Sequence, residues 1–280
     1  MNVQKKLAFG YIRTKLNGLS IINKRKAGEE AFRLFCTPLM KSVKPGQVFK
    51  DAEALEFLLD GKLVKGFRCH YPAKHKILLL HGFSSNCHNF DHYVTALAHK
   101  GYEILAFDAP AHGASEGKTV NALDYSEMIK KIIELYGPIQ GFIAHSFGGL
   151  AICLALEKIP HDQHTKIVLI APATETTTAI NSAFKILGLN NERLKRSLEN
   201  IILETSGRDP AWFSIRRAME NIKASVLWVH DEDDDVTPLQ DALKVQQDNR
   251  PNIKFTITKG LGHRKIYRDA EVKKEIVDFL

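Results

Sequence analysis

The segment from Phe142 to Gly149, FIAHSFGG, sets a serine between a short apolar run and two glycines. A serine hydroxyl is a weak nucleophile until a base, itself oriented by an acid, takes its proton. The residues before Ser146 read as a buried strand, and FGGLAICLALEKI after it as a helix that is apolar nearly all round. A serine on such a strand-to-helix turn has a strained backbone that projects Oγ above the edge of the sheet. The turn asks for small residues two before and two after the serine, because strand and helix backbones nearly touch there. Gly148 meets that need with no side chain, and Ala144, where glycine is usual, with a single methyl group. A serine before two glycines also caps ordinary helices, so the reading depends on what else the chain supplies.

Downstream come an acidic cluster, VLWVHDEDDDVTP, and a glycine-flanked histidine, TKGLGHRKIY. Both follow strand-like runs, so both loops belong at the same edge of the sheet as Ser146. The order serine, acid, histidine is the one expected for a nucleophile on a strand–turn–helix of this architecture. His263 is the expected general base. The backbone N–H groups of Phe147, next to the serine, and of Phe83, in the loop after the ILLLH strand, are the expected donors to an oxyanion. Other polar residues carry plainer expectations. His81 and His112 bond backbone in the turns around the site. His88 and His92 stand four apart, as helical metal ligands can, but with no third ligand they read as a solvated helix face. Cys87 and Cys153 read as small core or turn residues.

From Lys76 onward, short apolar strands alternate with helices, which predicts a mostly parallel central sheet with helices on both faces, an α/β fold. Before it, two extended runs flank Asp60-Gly61 and predict an antiparallel hairpin at the sheet edge. Residues 172–224 interrupt the alternation with helices and no clear strand, and read as a cap or lid over the C-terminal edge of the sheet, where such sheets bind ligands. The expected organisation is a basic helical N-terminal extension over residues 1–50, closed by Lys44-Pro45-Gly46, a core of 51–171 and 225–280, and the helical insertion. Within the insertion, Phe184, Trp212 and Phe213 either line an acyl pocket or pack the cap.

These motifs together resemble the α/β-hydrolase superfamily over about Ala54 to Leu280. They are His81-Gly82-Phe83, DAPAHGASEG from Asp108, HSFGG from His145, HDEDDDVTP from His230 and GLGH ending at His263. The DAPAHGASEG run resembles the monoacylglycerol-lipase-like and serine-aminopeptidase-like branches. The family's acid motif, aligned on His230 and Pro238, implies Asp234 as the acid with Asp235 next. Asp231 then stands where glycine is usual. The resemblance implies a serine hydrolase that cleaves a carboxylic ester through a Ser146–His263–Asp234 triad and an acyl-enzyme, with no metal and no organic cofactor. A thioesterase, an amidase or a carbon–carbon hydrolase would use the same triad, and a binding protein could keep the fold without turnover.

Composition bounds the rest. The chain has 280 residues, 44% of them hydrophobic, ample for a sizeable core. No run approaches the ~18–20 apolar residues that span a bilayer, no secretory signal is evident, and the four scattered cysteines form no C-x-x-C pair. These features point to a cytoplasmic protein with a small-molecule acyl substrate and leave oligomeric state open. Residues 1–50 hold eleven Lys or Arg against two Glu, so most of the net charge of +7 lies there. Leu7, Phe9, Ile12, Leu16 and Leu19 mix with these charges at helical spacing, which suits peripheral contact with a membrane surface. The aromatics are not interleaved with basic residues as a nucleic-acid platform requires, so no nucleic-acid partner is expected.

Overall fold

Strands β1 (Glu53–Leu59) and β2 (Lys62–Cys69) pair antiparallel, with Leu59 opposite Lys62 across Asp60-Gly61. Both turn residues have positive φ, 49° and 73°, the mirror-image turn whose twist matches the flanking strands. Then come β3 (His75–Leu80), β4 (Tyr102–Phe107), β5 (Gly141–His145), β6 (Lys166–Ile170), β7 (Ser225–Asp231) and β8 (Ile253–Thr258). The sheet runs in the order β1-β2-β4-β3-β5-β6-β7-β8, antiparallel through β2 and β4 and parallel from β4 to β8. This is the mostly parallel sheet with an antiparallel N-terminal hairpin that the alternation predicts. A computed structural model describes residues 3–39 and 47–280; the Lys44-Pro45-Gly46 turn lies outside the described residues.

The helices in chain order are α1 (Val3–Ile22), α2 (Lys24–Phe35), α3 (Asp91–His99), α4 (Ala122–Tyr136), α5 (Phe147–Leu156), α6 (Thr176–Leu187), α7 (Glu192–Ser206), α8 (Ile215–Ala218), α9 (Leu239–Gln247), α10 (Gly262–Lys265) and α11 (Ala270–Phe279). The central strands are buried on both faces, which explains their continuous apolar runs. On one face Ile77, Leu79, Ile104, Ile143, Val168 and Leu227 join Tyr93 and Leu97 of α3 and Val272 and Ile276 of α11. On the other, Phe107 meets Tyr136 of α4 at 5.6 Å between ring centroids, and α5 lies against Leu169.

The chain divides into two compact units. One holds Pro38–Thr174 and Ile215–Leu280 and carries the sheet. The other joins Met1–Thr37 to Glu175–Ser214, so the N-terminal helices and most of the insertion, far apart in sequence, fold together. Within it α2 packs on α7 closely enough that a Cβ on Gly28 would lie 2.5 Å from the Ser197 carbonyl oxygen and 2.9 Å from Ile201 Cγ1. Asn191 caps α7 and also donates to Asn17 Oδ1 at 2.8 Å and Ser20 Oγ at 3.0 Å on α1. Arg25 of α2 bridges to Glu204 of α7 at 2.9 Å.

That close approach yields a paired prediction. Gly28→Ala should lower stability by about 1–3 kcal/mol, because α2 and α7 must move apart to admit the methyl group. Gly18→Ala meets nothing within 4 Å and should raise stability by up to ~1 kcal/mol through helix propensity. Urea denaturation followed by far-UV circular dichroism tests both, and a Gly28→Ala midpoint at or above wild type would contradict the packing argument.

Candidate active site

Ser146 sits between β5 and α5 with φ 53° and ψ −117°, a conformation rare for a residue with a side chain. Its surroundings hold it there. Its N–H donates to the Ile170 carbonyl at 3.1 Å, and its own carbonyl accepts from Gly149 and Ala173, each at 3.0 Å. A Cβ on Gly148 would lie 2.6 Å from the Leu80 carbonyl oxygen and 2.8 Å from that of His81. Ala144 is fully buried, in register with Leu80 of β3 and Leu169 of β6.

The parallel strands bring the loops after β3, β5, β7 and β8 to one edge of the sheet. There His263 Nε2 lies 3.0 Å from Ser146 Oγ, and His263 Nδ1 lies 2.8 Å from Asp234 Oδ2. All three side chains are nearly buried. Asp235, the alternative acid, is exposed. Asp234 is oriented by its own turn: Oδ1 accepts from the N–H groups of Val236 and Thr237, each at 2.8 Å, and Oδ2 lies 2.9 Å from Thr237 Oγ1. Burial pushes its pKa up, but the hydrogen bond and charge of His263, with the two backbone N–H groups, outweigh it and hold the carboxyl below its ordinary range.

The neighbouring carboxylates hold backbone instead. Asp231 Oδ1 accepts from Gly262 N at 2.8 Å and Asp233 N at 3.0 Å, while Oδ2 accepts from Thr258 Oγ1 at 2.6 Å and Leu261 N at 3.1 Å. Here too burial raises the pKa and the hydrogen bonds from Thr258 and the backbone bring it below the ordinary value. Asp233 Oδ2 accepts from Gly260 N at 3.0 Å. Asp231 and Asp233 thus clamp the glycine loop that presents His263. His230 braces the acid turn: Trp228 Nε1 donates to its Nδ1 at 3.3 Å, which leaves its Nε2–H to donate to the Thr237 carbonyl at 2.7 Å.

His145, the first residue of HSFGG, is a site neighbour to which the sequence assigns no role. Its ring lies 4.7 Å from that of His263 and its Nε2–H donates to the His263 carbonyl at 3.0 Å. Burial, then the proximity of His263, pushes its pKa down to about 3, so it stays neutral and keeps this donor geometry. Its position just before the serine is the only signal the sequence carries. Thr237, 3.1 Å from His263 Nδ1, was equally concealed within the VTP run.

Phe83 and Phe147 come together edge to face, with ring centroids 5.6 Å apart. Phe147 opens α5, where backbone N–H groups have no partner inside the helix. The Phe83 loop is pinned on both sides. His81 Nδ1–H donates to the Gly82 carbonyl at 2.8 Å and its Nε2 accepts from Ala109 N at 2.9 Å, while His112 Nε2 accepts from Ser84 N at 2.9 Å. His81 and His112 therefore serve the turns, as expected. Asp108 holds the same region by accepting from Cys87 N at 2.9 Å and Ala114 N at 2.8 Å. His88 and His92 correct the expectation of a solvated helix face. His88 is buried against the rings of Phe49 and Phe67, at 5.0 and 5.1 Å, and His92 Nε2 bonds the Tyr267 carbonyl at 2.6 Å. Spacing alone could not show that these side chains face inward.

Residues 71–214, just over half of the chain, match the family described as serine aminopeptidase, S33. A Mycoplasma pneumoniae protein named as an esterase/lipase is 24% identical over 141 residues, covering 48% of this chain and 51% of that protein. A serine hydrolase-like protein of Dictyostelium discoideum is 29% identical over 172 residues, covering 47% and 48%. The chain thus spans about half the length of the curated relatives it matches. The structure of the Pyrococcus furiosus esterase Pf2001 superposes with a TM-score of 0.65 at 19% identity, covering 87% of this chain and 97% of that one, and shares its fold. The chain belongs to the serine aminopeptidase S33 family of α/β-hydrolases.

Proposed function

We propose that this hydrolase cleaves carboxylic esters through Ser146, His263 and Asp234. The observation that carries the reading is the linked geometry of Ser146 Oγ, His263 and Asp234, at 3.0 and 2.8 Å. The names of the Mycoplasma and Pyrococcus relatives favour an ester as the substrate.

In this mechanism Ser146 Oγ attacks the acyl carbonyl while His263 Nε2 takes its proton. Asp234 keeps His263 Nδ1 protonated and stabilises the imidazolium that forms. The backbone N–H groups of Phe83 and Phe147 hold the tetrahedral oxyanion, each such donor being worth about 3–4 kcal/mol of barrier. Collapse of the intermediate breaks the bond to the alcohol, which leaves with the proton from His263. Water, deprotonated by His263, then attacks the acyl-enzyme, and the carboxylic acid departs as Ser146 regains its proton.

A fluorophosphonate probe should label the wild type and leave Ser146→Ala unlabelled; an unlabelled wild type, or equal labelling of the variant, would sink the mechanism. On a panel of p-nitrophenyl esters and matched thioesters, Asp234→Asn should lower kcat by about 10⁴-fold, and Asp235→Asn should leave it near wild type. A larger loss in Asp235→Asn would transfer the acid's role to that residue, and faster thioester turnover would reassign the substrate.

The lowered carboxyls also predict a pH dependence of stability. A carboxyl whose folded pKa lies below its unfolded value of ~3.9 stabilises the fold fully above that value, and the contribution is lost as pH falls through the folded pKa. Asp231 and Asp234 both belong to this class. Asp231→Asn should be less stable than wild type by about 1–3 kcal/mol at pH 7, and the gap should narrow as pH falls below the unfolded value. Urea midpoints as a function of pH are the measurement; a constant gap would show that the Asp231 charge contributes nothing.

A further inference from the structure

Helix α1 buries Leu16 and Ser20 inside its own unit. At 100° per residue, Leu7, Tyr11, Gly18 and Ile22 fall on the opposite side, with Ile21 beside them. Leu7 and Tyr11 are each 69% exposed, Ile21 77% and Ile22 83%. Single exposed apolar residues are ordinary, but an aligned set along one helix face marks a surface that meets something apolar.

The charge around this face narrows the choice. Residues 1–37 carry eight Lys or Arg against Glu29 and Glu30, while 175–214 carry five of each sign. The unit therefore holds +6 of the chain's net +7. Lys24 and Lys26, directly after the exposed isoleucines, are themselves exposed. Among the described residues no helix is long and apolar enough to cross a membrane.

We propose that α1 lies flat in the surface of an anionic lipid bilayer. Leu7, Tyr11, Ile21 and Ile22 enter the boundary between headgroups and acyl chains, and the surrounding basic side chains meet the lipid phosphates and carboxylates. A second copy of the chain fits this face less well, because two units of +6 would repel where an anionic surface attracts. A nucleic acid would complement the charge and leave the apolar stripe in water.

The test uses the full chain and co-sedimentation with phosphatidylcholine vesicles, with or without 30% phosphatidylserine. Binding should require phosphatidylserine and weaken at 0.5 M salt, where screening shortens to about 4 Å. The triple variant Leu7→Glu, Tyr11→Glu, Ile22→Glu should bind at least about tenfold more weakly, since burying one such side chain is already worth about tenfold. Far-UV circular dichroism and urea midpoints like wild type would show that it folds. Gly18→Leu, which adds an apolar side chain where nothing lies within 4 Å, should bind several-fold more tightly. Absent binding, equal binding to both vesicle types, or an unaffected triple variant would each overturn the proposal. So would a dimer in sedimentation velocity that the triple variant abolishes, because the stripe would then be a self-interface.

Discussion

A methyl group at Gly148 would press 2.6 Å from the carbonyl oxygen of Leu80 and 2.8 Å from that of His81, so α5 can start where it does only without a side chain there. This approach sets the rest of the site. It places the first turn of α5 against the end of β3 and forces the chain to reverse within one residue, at Ser146. That residue accepts a positive φ because its backbone is tied to β6 and its loop on the far side, through Ile170 and Ala173. The strain, of order 1–3 kcal/mol for such a conformation, is offset by a core in which α5 is buried from Gly148 to Leu156. The hydroxyl thus stands in a fixed direction before any substrate arrives.

The acidic cluster illustrates how identical side chains take different work from their surroundings. Asp231 ends β7, so its carboxylate is surrounded by three backbone N–H groups of two adjoining loops and by the Thr258 hydroxyl at the end of β8, and its acceptor capacity goes to them. Asp234 lies three residues further, in a tight turn that satisfies one oxygen and directs the other at His263. The glycine usual at position 231 would leave the His263 loop without this clamp. Here the loop Gly260–His263 is held by two carboxylates, and His145 supports the histidine from behind through its carbonyl. Because His145 is neutral, it adds no positive charge beside His263.

The sheet was legible because burial on both faces leaves continuous apolar runs, and the hairpin because Asp60-Gly61 can adopt the backbone its turn needs. Ser146 and His263 stood out by loop position. Asp231, Asp233, Asp234 and Asp235 could not be told apart by residue type. The resemblance selected Asp234, and only the turn geometry shows that Asp231 and Asp233 hold backbone while Asp235 is exposed. His88 and His92 misled because spacing reports a shared face and not what covers it; Phe49, Phe67 and Tyr267 come from distant segments. The joining of residues 1–37 to 175–214 was beyond reach for the same reason. Its one local trace is Gly28, a glycine inside a helix that otherwise has no reason to weaken itself.

That glycine also bears on α1. Apolar residues occur on both sides of this helix, Phe9, Ile12, Leu16 and Leu19 against Leu7, Tyr11, Ile21 and Ile22, so its pattern alone names no inner face. The unit decides it, by burying Leu16 and Ser20 and bonding Asn17 and Ser20 to Asn191 at the start of α7. Once that side is committed, the other apolar side has no partner within the described part of its own unit. A helix that is apolar on two sides is stable in a folded chain only when both are covered or when one is kept for a partner outside it. The basic residues around α1 then act as a selection rule, since they favour an anionic surface and disfavour another copy of the same unit.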